Sequence, residues 1–297
     1  MHTTASDGRL TPAALVDRAA AAGLKTIAVT DHDTTAAIAD VKAAAEPNGI
    51  HVINGIEITA IDHGRDVHML GYFFNPASQP LVALLVSQLA LRVMRVREIA
   101  TTLAGLNMPI DIDSVLLAAA ARPGSSIGRP QIAREMLRAG HVRSVQEAFD
   151  KWLATGQPAY QPRIGPRPAE VIETVHEAGG LISFAHPGVT RRDELIAPLV
   201  QHGLDAIEVY HSDHTPGDVI AYRGMAVRLG VLVTGGSDFH GDDGKPERAH
   251  RATFGAVTLP AADFDRLRDS ATARQAALEG SASASATSHR PARQERH

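Results

Sequence analysis

Short apolar runs in this chain stop, time after time, on a histidine or a carboxylate. Asp31 and His32 follow the run 26–30, Glu57 follows 51–56, His186 follows 181–185, and Asp238 and His240 follow 231–236. Apolar or β-branched runs of this length, set between helical stretches, read as buried parallel strands, and in closed α/β barrels the loops after the strands carry the chemistry. The expected fold is therefore an α/β barrel with a polar centre at one rim. A barrel of 297 residues is commonly one domain.

Any one of these histidines alone reads as a surface or hydrogen-bonded residue. Together they read differently, because carboxylates crowded at one rim repel unless cations offset their charge. The chain has no cysteine, so thiolate-held zinc and disulfides are excluded, and a metal here is held by imidazole and carboxylate alone. Such ligands suit manganese, zinc, iron or magnesium. With 29 basic and 33 acidic residues the net charge is -4, which gives no overall pull toward nucleic acid or anionic membrane. A polyanionic substrate must be gripped by local charge. No apolar run reads as long enough to span a bilayer, and residues 1–7 lack the basic and apolar regions of a signal peptide. The expected compartment is the cytoplasm.

Thr11 followed by Pro12 reads as a helix start, and the apolar face that follows gives a first helix over 12–22. Alternation then predicts strand 26–30, helix 34–45, and strands 51–58 and 66–74, the pattern of a parallel sheet. Residues 81–106, 112–121, 130–139 and 145–155 all carry helical spacing. This gives a domain layout of barrel over 1–77, helical lid and linker over 78–165, and resumed barrel over 166–279. The resumed part is expected to hold strands 181–185, 206–210 and 231–234, with a strand near 252–257 and a helix 261–278 closing it. Residues 280–297 are Ser/Ala-rich and then basic, and are expected to form a disordered tail.

The segments His2-Thr3-Thr4-Ala5-Ser6-Asp7-Gly8, Thr30-Asp31-His32-Asp33, Gly55-Ile56-Glu57, His68-Met69-Leu70-Gly71-Tyr72, Ala185-His186-Pro187 and Ser237-Asp238-Phe239-His240 resemble, in order, the motifs of the PHP (polymerase and histidinol phosphatase) metallophosphoesterases. The resemblance covers nearly the whole chain before the tail, and the helical insertion with Gly128-Arg129-Pro130 resembles the subgroup acting on nucleoside 3',5'-bisphosphates and RNA 5' ends. It implies a distorted seven-stranded (β/α) barrel with a centre of up to three cations, manganese first among them. His2, Glu57 and Asp238 would hold one, Glu57 would bridge to a second held by His68 and His186, and Asp7, His32 and His240 would hold a third. Asp238 and His240 would be catalytic. Asp31 is expected to cap or brace the backbone rather than orient a ligand. The family pattern opens Asp-Leu-His-x-His, and Met1 stands at the x, so the first histidine and the strand before it are missing and the native start is expected upstream.

Residues 125–130 look like a helix start with proline in the first turn, where free backbone N–H groups and Arg129 could hold a phosphate; a capped helix with a solvated arginine is the plain alternative. The resemblance favours phosphate, although Gln131 stands where the subgroup often has histidine. Arg163 is a second phosphate candidate, and His211, at the end of run 206–210, is expected to contact phosphate or protonate the leaving oxygen. His214 reads equally as such a contact or as a merely exposed residue. Trp152 and the four tyrosines form no aromatic platform, so a small nucleotide or short RNA is expected rather than a long single strand or duplex DNA. The rival readings are a phosphatase of a small metabolite such as histidinol phosphate, a barrel that has lost catalysis and serves as a scaffold, and a cyclic amidohydrolase. No feature fixes an oligomeric state.

Overall fold

A computed structural model describes residues 1–120, 127–241 and 254–288. Its centre is a six-stranded sheet in which each strand lies beside the next in sequence: β1 (Thr26–Val29), β2 (His51–Asp62), β3 (Arg65–Tyr72), β4 (Leu181–Phe184), β5 (Ala206–His211) and β6 (Leu232–Gly236). Helices α1 (Pro12–Ala21) and α2 (Ile38–Ala45) flank β1 and β2. Helices α3 (Gln79–Gly105), α4 (Ile112–Ala120), α5 (Arg129–Arg138) and α6 (Val145–Ala148) intervene before α7 (Pro168–Glu177), and α8 (Pro187–Thr190), α9 (Ile196–Gln201), α10 (Pro216–Leu229) and α11 (Ala261–Ser288) follow among the later strands and after them.

The local signals act as their chemistry dictates. Thr11 Oγ1 accepts the Ala14 N–H and Pro12 opens α1, whose buried face is Leu15, Val16 and Ala19. Thr215 and Asp218 close a reciprocal cap on α10, and Gly230 ends it at φ 69.

The sheet is not wholly parallel, which corrects the expectation for its first half. β2 pairs antiparallel with β3, and β3 antiparallel with β4. The reason is the turn: His63 and Gly64 both take positive φ, 47 and 77, so two residues reverse the chain and no crossover helix is needed. β2 consequently runs on to Asp62, and His68 lies within β3 rather than beyond a strand end. Its partner across the ladder is Thr59, two residues from Glu57 on the same face.

No strand forms over 254–257, while Ala252 and Thr253 lie outside the described residues. Helix α11 runs on to Ser288, past the expected end at Leu278 and into the stretch assigned to the tail; residues 289–297 lie outside the described residues, as do 121–126 with Ser125 and Ser126. α3, at 27 residues, is long and apolar enough by length and composition to cross a membrane, contrary to the sequence expectation. It is also tied to its surroundings: Leu81, Val96, Ile99 and Leu103 are buried, Gln88 donates to Thr59 O at 2.8 Å, and Arg95 donates to Gln161 O at 2.8 Å. These polar ties pin one face of the helix to β2 and to the segment that follows the insertion.

Separate apolar clusters support the two parts of the molecule. One joins β2 to β5 with α7 and α10, around Ile56, Met69, Phe74, Val175 and Phe184. Another lies wholly among α3 to α6 and the turn after them, around Ile99, Leu103, Ile132 and Met136. β1 and β6 are the two ends of the strand order, and a cavity of about 390 Å³ lies between them. At one end of this seam the first residues bridge its two sides: Met1 O accepts the Thr30 N–H and His2 N donates to Phe239 O, each at 2.9 Å.

Candidate metal centre

Glu57, 2 % exposed, is the hub of the rim. Its Oε2 lies 3.2 Å from His2 Nε2 and 3.9 Å from His32 Nδ1; its Oε1 lies 2.6 Å from His68 Nδ1 and 3.2 Å from His186 Nε2. Asp238 lies against the same cluster, with Oδ1 3.1 Å from His2 Nε2 and 3.6 Å from His240 Nδ1. Asp7 faces His240 at 3.3 Å, His2 at 3.7 Å and His32 at 3.8 Å. Three sets of donor atoms converge to within 4.8 Å: His2, Asp7, His32 and His240; His32, Glu57 and His68; His2, Glu57 and Asp238. All eight residues expected as ligands are thus gathered at one end of the barrel, with His186 reached through Glu57.

The fit to cations rests on the ring nitrogens. His2 Nδ1 and His68 Nδ1 are buried without a hydrogen-bond partner, although carboxylate oxygens lie near both. Close approach without hydrogen-bond alignment is the arrangement of lone pairs sharing a cation. His240 Nδ1 meets Asp238 O at 2.8 Å, which assigns its proton there and leaves the Nε2 lone pair directed at the Asp7 side. These residues fit divalent cations.

Electrostatics agree. Burial would raise Glu57 and Asp238, but the surrounding histidines hold both carboxyls well below the usual range. Burial and then neighbouring charges act on His32, whose pKa falls to about 3, so its imidazole is neutral and available. For His2 and His186 burial opposes protonation, yet hydrogen bonds outweigh it, from Asp238 and Glu57 for His2 and from Glu57 for His186, and both rise to about 9. A folded pKa above the ordinary 6.5 means that these protons stabilise the cation-free fold fully below that pH and cease to do so as pH rises through 9. Cations need the same imidazoles neutral, so uptake must expel protons. Calorimetry of manganese binding at pH 7.5 should show an enthalpy that varies with the ionisation enthalpy of the buffer, and affinity that climbs toward pH 9. A buffer-independent enthalpy would contradict this.

The loops are held from beneath. Asp31 caps no helix; its carboxylate accepts Thr3 N at 2.7 Å, Thr3 Oγ1 at 2.7 Å and Ser6 Oγ at 2.6 Å, bracing the segment between His2 and Asp7. Asp238 sits at φ 48 and His186 at φ 29, both in the left-handed region. Such backbone costs on the order of 1–3 kcal/mol. Beside Asp238, the 1 % exposed Phe239 packs edge-on against Phe254, and burying such a ring contributes about 1.5–3 kcal/mol, enough to hold the loop.

Beyond the cluster opens a cavity of about 990 Å³, lined by Asp7, His32 and His68 on one side and by Arg92, Arg129, Arg134 and Arg163 on another. Arg129 Nη1 donates to Leu153 O at 3.2 Å, with its guanidinium 5.9 Å from the Phe149 ring and 5.8 Å from the Tyr160 ring. Arg163 pairs with Asp66 at 2.7 Å. Gln131 Oε1 accepts the Gly128 N–H at 3.1 Å, so that side chain caps α5. His211 departs from expectation. Its side chain is fully enclosed and does not line this cavity; Nδ1 accepts Asp213 N at 3.1 Å, and Nε2 faces Asp238 Oδ2 at 3.6 Å.

Sequence reasoning missed Arg92 and Asp33. Asp33 accepts Thr59 N at 2.7 Å and Thr59 Oγ1 at 3.0 Å, and pairs with Arg92, which it holds at the cavity wall. Burial, and then Arg163 and Arg95, lower Arg92 to about 10. Arg92 sits mid-helix, where an arginine reads as solvated, and its partner Asp33 lies far away in sequence.

An α/β half-barrel with a histidine and carboxylate centre at its rim, facing a cavity walled by arginines, defines a class of hydrolases that use divalent cations on anionic substrates. The PHP domain model matches residues 1–154, and the chain belongs to that family. It is 32 % identical to the 5'-3' exoribonuclease Rnm of Escherichia coli, over 80 % of this chain and 83 % of that protein. It is also 32 % identical to the 3',5'-nucleoside bisphosphate phosphatase of Chromobacterium violaceum, over 80 % and 85 %. Among solved structures, one from Bifidobacterium adolescentis described as a metal-dependent phosphoesterase superposes with a TM-score of 0.74 at 33 % identity, covering 90 % of this chain and 93 % of the other. A Chromobacterium violaceum structure described as an amidohydrolase, holding sulfate and no metal, gives 0.70 at 30 % identity, covering 88 % and 90 %.

Proposed function

We propose that this protein is a cation-dependent phosphoesterase that removes the 3'-phosphate of nucleoside 3',5'-bisphosphates and trims short RNA from its 5' end. The observation that carries the reading is the arginine-walled cavity opening directly onto the centre. Relatives named for those two activities, each about 32 % identical, support it. The reading includes up to three cations, manganese foremost, and a cytoplasmic location.

When bound, divalent cations acidify water and offset charge on the phosphoryl oxygens. The chain's own residues do the rest. Glu57 and Asp238 hold the histidine ring together, and His211 acts by orienting Asp238 rather than by touching substrate. Arg129, with the Phe149 and Tyr160 rings beside its guanidinium, grips the phosphate that is not cleaved. Arg92 and Arg163, already paired with Asp33 and Asp66, shape the wall more than they bind. Amide hydrolysis is the rival reading, since one solved relative is described as an amidohydrolase, but a wall of arginines suits phosphates.

The test is phosphate release with manganese from adenosine 3',5'-bisphosphate and from adenosine 3'-phosphate. A charge-assisted hydrogen bond contributes about 1.5–3 kcal/mol, so Arg129→Ala should lower kcat/KM on the bisphosphate roughly 10- to 100-fold. Activity on the 3'-monophosphate should barely move. An equal loss on both substrates would remove Arg129 from phosphate recognition, and release from neither by the unaltered chain would overturn the substrate assignment.

A further inference from the structure

Glu208 is a buried carboxylate for which the reaction above has no use. It stands on β5 at 4 % exposure, and burial pushes its carboxyl up from the ordinary value. A carboxylate in such surroundings is unfavourable unless its hydrogen bonds are valuable elsewhere. Its Oε2 accepts a single backbone N–H, that of His186, at 2.8 Å.

That N–H is the last donor of its strand connection. Ala185 N is satisfied by His68 O at 3.1 Å, and Pro187 has no N–H to offer. Between them His186 turns to φ 29 and ψ 60, a conformation that a residue with a side chain rarely adopts. The turn aims the imidazole inward, with Nε2 3.2 Å from Glu57 Oε1 and Nδ1 3.2 Å from Thr190 Oγ1. A second side chain from the same part of the barrel fastens the next free N–H. His214 is half-buried; its Nδ1 meets Val209 O at 2.8 Å, so Nε2 accepts the Gly188 N–H at 3.1 Å.

We infer that Glu208 is a positioning residue: by accepting the His186 N–H it holds that backbone in the left-handed turn that presents the imidazole to the Glu57 side of the centre. It touches neither substrate nor the reacting atoms. The inference rests on the cation site, not on the identity of the substrate, so its success or failure is separable from that of the phosphoesterase reading.

Two substitutions test it on the full chain. Glu208→Met fills the volume but offers no comparable acceptor, whereas Glu208→Gln keeps a carbonyl oxygen and discards the charge. Manganese stoichiometry and stepwise affinity are measured by equilibrium dialysis, with His186→Ala as the reference that shows which ion depends on that ligand. Loss of an outer partner of a metal ligand typically weakens metal binding 10- to 100-fold, so Glu208→Met should lose that same ion by about this factor and keep the others. Glu208→Gln should retain it at near wild-type affinity, with a thermal unfolding curve showing that both variants are folded. Wild-type binding by Glu208→Met would overturn the inference. So would equal loss in Glu208→Gln, which would assign the effect to charge, or simultaneous loss of every ion in Glu208→Met, which would mean collapse of the rim. A wild-type chain that takes up no manganese would overturn the cation site and this inference with it.

Discussion

Glu57→Gln should lose its bound cations and at least about 10³-fold in turnover, because cations on a phosphoryl group contribute several kcal/mol and each ~1.4 kcal/mol is tenfold. Its carboxylate lies within 4 Å of four imidazoles, those of His2, His32, His68 and His186. Glutamine preserves size and keeps one acceptor, so the barrel should remain folded. It removes the negative charge that would offset bound cations, and its amide N–H₂ confronts ring nitrogens placed to meet an anion. Elemental analysis with a phosphate-release assay checks the result. A variant that keeps full metal content and turnover would show that the hub is structural.

Asp238→Asn is expected to have the second largest effect, a loss on the order of 10²- to 10³-fold in kcat, the range that follows when a charge-stabilising group is removed from an active site. Asparagine is a sensitive probe at this position. Residue 238 lies at φ 48, and asparagine, after glycine, is among the residues that best tolerate that region, so the backbone should stay where Phe239 anchors it. The change then reads the loss of one negative charge facing His2, His240 and His211. Unfolding temperature should move little while manganese affinity falls. A large drop in stability with unaltered metal affinity would instead make Asp238 a strut.

Much of this centre was legible because its signals are local. A strand end with a histidine or carboxylate after it can be read without knowing what packs where, and Asp31, His32, His186, Asp238 and His240 fall at such points, whereas Glu57 follows an apolar run but lies inside β2, which carries on past it to Asp62. The sheet direction at β3 was not, because the apolar run 66–74 looks the same whichever way it pairs; only the two-residue turn at His63 and Gly64 decides. Arg92, Asp33 and Glu208 were illegible for a different reason. Each acts through a partner far away in sequence, Arg92 to Asp33 and Glu208 to His186, and nothing at the residue itself announces that partner. His211 shows the converse: its place at a strand end was correctly read, but burial, a tertiary property, turns it toward Asp238 and away from the cavity.

The seam between β1 and β6 gives the centre a mechanical role. β1 is attached to the sheet through the four residue pairs of its ladder with β2, and the cavity lies on its other side. The ligands divide across that gap: Asp7 and His32 belong with β1 and its helices, while Asp238 and His240 follow β6. A cation held from both sides would act as a rivet across a split ring. Stripping the cations should therefore do more than silence chemistry: it should let the rim spread, and the amides of Thr26–Val29 should be among the first in the barrel to exchange with solvent.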